Sequence, residues 1–203
     1  RTPQLNQWLP VADFFRVALI VHVDLSVLVW LVSLAGLLWS LSGSTRAPGL
    51  AWLALGLCSA GTVLMALAPF TGRSAPVMAN YIPVVDGSMF ITGLAVFGLG
   101  GAALVLRGLI ATRPTGPGLA GEGALRFGLN ASVVAGAVAV LSFGASLLLV
   151  PRSLDAQTYY EILFWGGGHA LQFVWTLLML VAWLWLAGAT GARVPLSPRL
   201  TVL

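Results

Sequence analysis

Five apolar runs, each set off from the next by proline, glycine and arginine, dominate this 203-residue chain and leave it few choices of fold. They cover about Val17–Trp39, Leu50–Phe70, Tyr81–Leu106, Phe127–Val150 and Ile162–Ala187. At ~1.5 Å per helical residue, each is long enough to cross a hydrocarbon core about 30 Å thick. A water-facing surface could not hide them, because 59% of the residues are hydrophobic and only 8% are charged. The expected fold is all-α, a polytopic membrane protein whose five transmembrane helices form a single domain over residues 1–203, with the lipid bilayer as its first partner. No internal repeat interrupts that pattern. The longest connector, RGLIATRPTGPGLAGEGALR, holds Pro and Gly without apolar periodicity and is expected to be a solvent loop.

Every positive side chain is arginine, and the formal balance is +4. No basic cluster exists, so the charge is read as membrane topology and not as a nucleic-acid surface. Five spans place arginines 46, 107, 113, 126, 193 and 199 on one side and 1, 16, 73 and 152 on the other. The asymmetry predicts an external N-terminus and a cytoplasmic C-terminus; a bacterial inner membrane is the expected location, which charge does not itself indicate. A single cysteine, Cys58, lies in the second span, which excludes an internal disulfide and a cysteine zinc site; it is expected to be a small packing residue. The chain opens on Arg1 with a short polar lead and no cleavage motif, the pattern of a processed or partial chain.

Only two histidines occur, His22 and His169. His22 falls early in the first span and His169 early in the fifth, and odd-numbered spans run the same way. Both imidazoles are therefore expected roughly 8–11 Å below the same membrane face. Imidazole is a frequent ligand of heme iron and copper, while the alternative for each is a hydrogen bond between helices. Gly166, Gly167 and Gly168 precede His169, and each costs roughly 1 kcal/mol inside a helix relative to alanine. Such a run admits either a bulky cofactor or a closely packed helix.

Polar groups gather toward the same side. Asp24 lies about 200° around the helix from His22, so it is not expected to support that histidine on a shared heme. Buried intramembrane carboxylates cost several kcal/mol unless paired, protonated or hydrated, and Asp24, Asp86 and Glu161 are candidates on that ground. The latter two also suit an interface. On the face of His169 stand Trp165, Gln172, Phe173 and Thr176, a stripe that reads as a pocket wall. Ser26 and Ser33 extend the face of His22 and read as contacts between helices. Gly128, Ser132, Gly136 and Gly144 form a small-residue stripe that would let a neighbouring helix approach. Trp8 and Trp39 read as interfacial anchors, and Trp30 and Trp175 as deep packing residues.

With these residues set out, FWGGGHALQFVWTLLMLVAWLW resembles the helix of heme-copper oxidase subunit I that presents the first histidine ligand of the active-site copper. RVALIVHVDLSVLVWLVSLAGLLW resembles the helix of that family whose histidine holds the low-spin heme, and NYIPVVDG before the third span is a further point of likeness. The resemblance covers nearly the whole chain, as the second through sixth helices. It implies His22 as a ligand of low-spin heme iron and His169 as a ligand of copper, with no catalytic residue assigned in this chain. The remaining copper and heme ligands, and a second heme, would come from residues outside it, in further helices of subunit I or a second chain. A cytochrome c-type electron donor is the implied partner. The implied activity is electron transfer through the low-spin heme to a heme-copper centre that reduces O2 to water, with this chain alone inactive.

The chain departs from the family at Phe173, where many oxygen-reducing members carry tyrosine and nitric oxide reductases carry glutamate. Nitric oxide reduction by the same family is thus an alternative. Others are a small bis-histidine membrane cytochrome b, a scaffold without cofactor, and a small-solute transporter suggested only by Asp24 and Asp86.

Overall fold

A computed structural model describes residues 14–71, 75–115 and 122–192. Five helices in it are long and apolar enough to cross a membrane: α1 (Phe14–Ser42), α2 (Pro48–Leu67, extended by a 3-10 turn over Ala68–Thr71), α3 (Ser88–Ala111), α4 (Glu122–Leu149) and α5 (Ala156–Ala189). The protein is an all-α polytopic membrane protein. Trp8, with the rest of the first 13 residues, and the arginines at 1, 73, 193 and 199 lie outside the described residues.

The ends of the spans differ from the hydropathy reading in ways that have local causes. Residues 81–87 do not open α3. They belong to a small antiparallel hairpin, β1 (Ala75–Val77) and β2 (Val84–Asp86), in which Val77 pairs with Val84 and Ala75 with Asp86. Pro83 removes a helix donor and Val84 and Val85 favour extended backbone, so the apolar run divides between two kinds of structure. α5 begins at Ala156, before the apolar run, because Asp155 caps it by accepting a hydrogen bond from the Thr158 backbone N–H at 3.1 Å. Both ends of the expected connector between α3 and α4 are helical, since α3 runs to Ala111 and α4 starts at Glu122.

The interior has two centres. Toward the hairpin, Val17, Ile20 and Val21 of α1 meet Met65 of α2, Ile82, Val84 and Val85 of the hairpin, Phe90 and Phe97 of α3, and Leu163 and Phe164 of α5. Toward the opposite end, Ala35 and Trp39 of α1 pack with Leu129 and Val133 of α4 and Val174, Leu178 and Val181 of α5. Between the two contributions of α1 lies a π-helical stretch, Asp24–Val29, whose wider turn re-aims the helix between the two cores.

Lipid offers no hydrophobic drive for helices to meet, so close approach and polar contacts hold them. A Cβ at Gly61 of α2 would stand 2.5 Å from the Phe97 nitrogen of α3, so these two backbones touch directly. Cys58 shares that crossing, its Sγ 3.9 Å from the Phe97 carbonyl, as a packing residue should. Trp39 is 5% exposed and donates its indole N–H to Ser132 Oγ at 2.9 Å; it is a buried contact between α1 and α4, contrary to its reading as an interfacial anchor. Trp30, read as deep packing, is 60% exposed on the outer surface. Ser26 and Ser33 bond to carbonyls of their own helix and do not join helices. The α4 stripe packs at Gly128 against Val181 and at Gly136 against Val105 and Trp39, while Gly144 meets nothing.

Five spans require the α3–α4 and α4–α5 connections to face opposite sides. In a Cys58→Ala background, single cysteines at positions 113 and 152 should react with a membrane-impermeant maleimide from opposite faces. Reaction of both from one face would contradict the topology.

Candidate functional site

His169 sits on α5 with Gly167 and Gly168 just before it, and the neighbours fill the room these glycines leave. A Cβ on Gly167 would collide with the Phe143 ring, and one on Gly168 with the Tyr81 ring. Gly166 is different, since its Cβ would reach only Ser142 at 3.7 Å. Two of the three glycines thus admit aromatic rings of the protein itself.

The Tyr81 ring crosses Gly168 and stands 4.9 Å, centre to centre, from the imidazole of His169. Its hydroxyl lies 2.9 Å from His169 Nε2. The other ring nitrogen, Nδ1, is 2.9 Å from the Trp165 carbonyl one turn earlier. A carbonyl can only accept, so Nδ1 carries the proton, Nε2 presents its lone pair, and Tyr81 donates to it. The Trp165 ring packs beside the imidazole at 4.5 Å.

Tyr81 ends a short strap laid along α5. Gln157 donates to the Met78 carbonyl at 3.0 Å, Asn80 donates to Glu161 Oε2 at 2.9 Å, and Tyr81 reaches His169. Glu161 is therefore a half-buried anchor for this strap, and Asp86 is an exposed end of the hairpin. Both fit the interfacial reading. Sequence reasoning passed over Tyr81 and Asn80, although Pro83 and Gly87 inside NYIPVVDG signal a break and not a helix start.

His22 has the opposite setting. It is exposed on the outer surface of α1, with no hydrogen-bond partner among the described residues. Val21 and Asp24 on either side face inward. Asp24 is 2% exposed and its Oδ2 has no hydrogen-bond partner, so it is turned away from His22 as the helical angle requires. The two histidines share no hydrogen bond or ring contact. From His169 the stripe of Trp165, Gln172, Phe173 and Thr176 continues along an exposed face of α5, with Phe173 68% exposed. Thr176 donates to the Gln172 carbonyl. No cluster of three or more potential metal-ligating His, Cys, Asp or Glu side chains occurs among the described residues.

The chain is similar to an uncharacterized protein of Rickettsia prowazekii (strain Madrid E), 27% identical over 221 residues that cover 90% of this chain and 41% of the relative. It is also similar to an uncharacterized protein of Aquifex aeolicus (strain VF5), 28% identical over 184 residues, 91% of this chain and 46% of the relative. The chain thus spans less than half the length of these relatives. No family model and no solved structure matches it.

The strap depends on Gly168 and is indifferent to Gly166. Gly168→Ala should displace Tyr81 and lower the thermal unfolding midpoint in detergent, consistent with an overpacking cost of about 1–3 kcal/mol. Gly166→Ala should leave the midpoint unchanged or raise it, because alanine is favoured in a helix by roughly 1 kcal/mol. Equal destabilisation by both would contradict this account.

Proposed function

We propose that this chain is the five-helix part of a heme-copper oxidase-type catalytic subunit, in which His22 binds a low-spin heme and His169 binds copper. The observation that carries the reading is the state of the two imidazoles. His22 is exposed and unengaged on the outside of the bundle, where a ring and further helices have access. His169 has Nδ1 bonded to a backbone carbonyl, an arrangement common in metal-bound histidines, which fixes the tautomer and leaves the Nε2 lone pair as the metal-binding position. The relatives are more than twice as long as the segment they share with this chain, which leaves length for the ligands it lacks.

The donor set fits in kind, one imidazole for each metal, and requires the rest of each set from elsewhere. When bound, the metals supply electron entry through the low-spin heme and the reduction of O2 to water. The chain's own residues hold and orient. The Trp165 carbonyl keeps the His169 proton on Nδ1, Gly168 admits Tyr81, and the Tyr81 hydroxyl holds a proton beside Nε2. Tyr81 must give up its hydrogen bond for Nε2 to bind a metal. The hydroxyl oxygen is fixed to the ring, so the whole Tyr81 side chain has to move aside for that. O2 is preferred to nitric oxide because, with neither the tyrosine nor the glutamate at Phe173, the arrangement that remains resembles the C-type oxidases, whose tyrosine comes from a later helix.

A second reading is favoured by the same hydrogen bond. With both nitrogens engaged, His169 would be a structural anchor for the strap, and His22 a surface histidine. Substitution separates the two readings in the longer protein. His169→Ala should remove copper and spare the low-spin heme spectrum, and His22→Ala should abolish that heme signal and spare copper. An anchor role predicts a lower unfolding midpoint for His169→Ala with the metal content unchanged. Loss of one shared heme signal with either substitution would instead establish the bis-histidine carrier.

A further inference from the structure

The face of the protein opposite the hairpin is unbalanced in charge. By chain order, arginines 46, 107, 113 and 126 share that side with one carboxylate, Glu122, among the described residues. The other side holds, among the described residues, arginines 16 and 152 with carboxylates 24, 86, 155 and 161. On the arginine-rich side a shallow cleft lies between the ends of α1, α3 and α4, and Ser42, Thr112, Arg113, Arg126 and Asn130 supply its polar lining. Among the described residues no carboxylate lines it.

One helical turn below Ala111, another residue of the cleft wall, Arg107 is buried at 7% exposure. Its Nη1 donates to Ser40 Oγ at 3.2 Å, and its Nε is buried without a hydrogen-bond partner. A guanidinium stays charged at any physiological pH, and burying one without a counter-ion costs several kcal/mol. Neutral serine does not offset that charge. A guanidinium offers five N–H donors in a fork matched to phosphate oxygens, and two more guanidinium groups line the cleft above it.

We propose that this cleft binds the phosphate of an anionic phospholipid from the leaflet on the arginine-rich side. Arg113 and Arg126 contact the headgroup, and the buried charge of Arg107 adds attraction from below. A lipid is favoured over a soluble phosphate by the surface next to the cleft. Leu109 and Ile110 of α3 and Phe127 of α4 are all exposed there, at 43%, 44% and 40%, and offer an apolar wall for the acyl chains. Basic pockets between membrane helices are a recurrent form of headgroup site. This inference is independent of the metal chemistry at the opposite end.

Delipidated protein in neutral detergent, titrated with phosphatidylglycerol or with phosphatidylcholine of the same acyl chains, tests the site by thermal shift and native mass spectrometry. Phosphatidylglycerol should raise the unfolding midpoint and remain bound at detergent concentrations that strip phosphatidylcholine. The double variant Arg113→Gln/Arg126→Gln, its lipid-free midpoint measured alongside, should weaken phosphatidylglycerol binding about tenfold or more, the loss of roughly one charge-assisted contact or better. Arg107→Lys, which keeps the charge but not the fork, should bind more weakly than the parent. Equal responses to the two lipids, or full retention by the double variant, would overturn the proposal. Protection by inorganic phosphate equal to that by phosphatidylglycerol would assign the site to free phosphate and overturn the lipid.

Discussion

The Tyr81 ring lying across Gly168, with its hydroxyl on His169 Nε2, is the contact on which one end of this membrane bundle depends. It ties an extended segment to a helix in a setting where backbone polar groups must be satisfied within the protein. Tyr81 lies between the two strands of the hairpin, and the strand that follows it, β2, presses Val84 and Val85, both fully buried, into a core shared with α1, α2, α3 and α5. The contact is possible only because Gly168 lacks a side chain. The glycine run and the histidine, adjacent in sequence, are thus parts of one arrangement.

The other end is held differently. There the indole of Trp39 bonds to Ser132, and Ser132 in turn donates to the Leu129 carbonyl at 2.7 Å. A buried hydrogen bond of this kind contributes roughly 1 kcal/mol net, yet leaving either partner unsatisfied would cost more. The two ends meet along α1, whose π-helical stretch at Asp24–Val29 allows one helix to serve two cores. Much of the remaining surface is exposed and apolar, including Trp30, Trp165, Phe173 and Trp183. A bilayer covers such a surface.

The spans were legible in the sequence because bilayer thickness imposes a length and a polarity that no other constraint can mimic. Their limits were less so. Hydropathy averages over Tyr81 to Asp86 and cannot register that Pro83 and two valines turn the chain extended. Nor could it show Arg107 inside a helix, since an arginine near a span's end reads as loop whether it snorkels or is buried. Trp39 was misplaced for a related reason. A tryptophan's position along a span suggests an interface, but the partner that buries it, Ser132, lies in a different helix. At the candidate site, the inequivalence of His22 and Asp24 followed from helical angle alone. The Tyr81 bond did not, because it joins residues far apart in the chain and depends on the strap between them.

His22 lies on an open surface, and the His169 Nε2 lone pair accepts from the Tyr81 hydroxyl. The central claim is that two different metals meet this bundle at those two places. Its most direct test is elemental analysis of the intact, longer protein, combined with a reduced-minus-oxidised absorption spectrum. The account predicts bound copper together with two spectrally distinct hemes, one of them low-spin. A protein that carries a single low-spin heme and no copper, or no metal at all after expression with ample iron and copper, would contradict it.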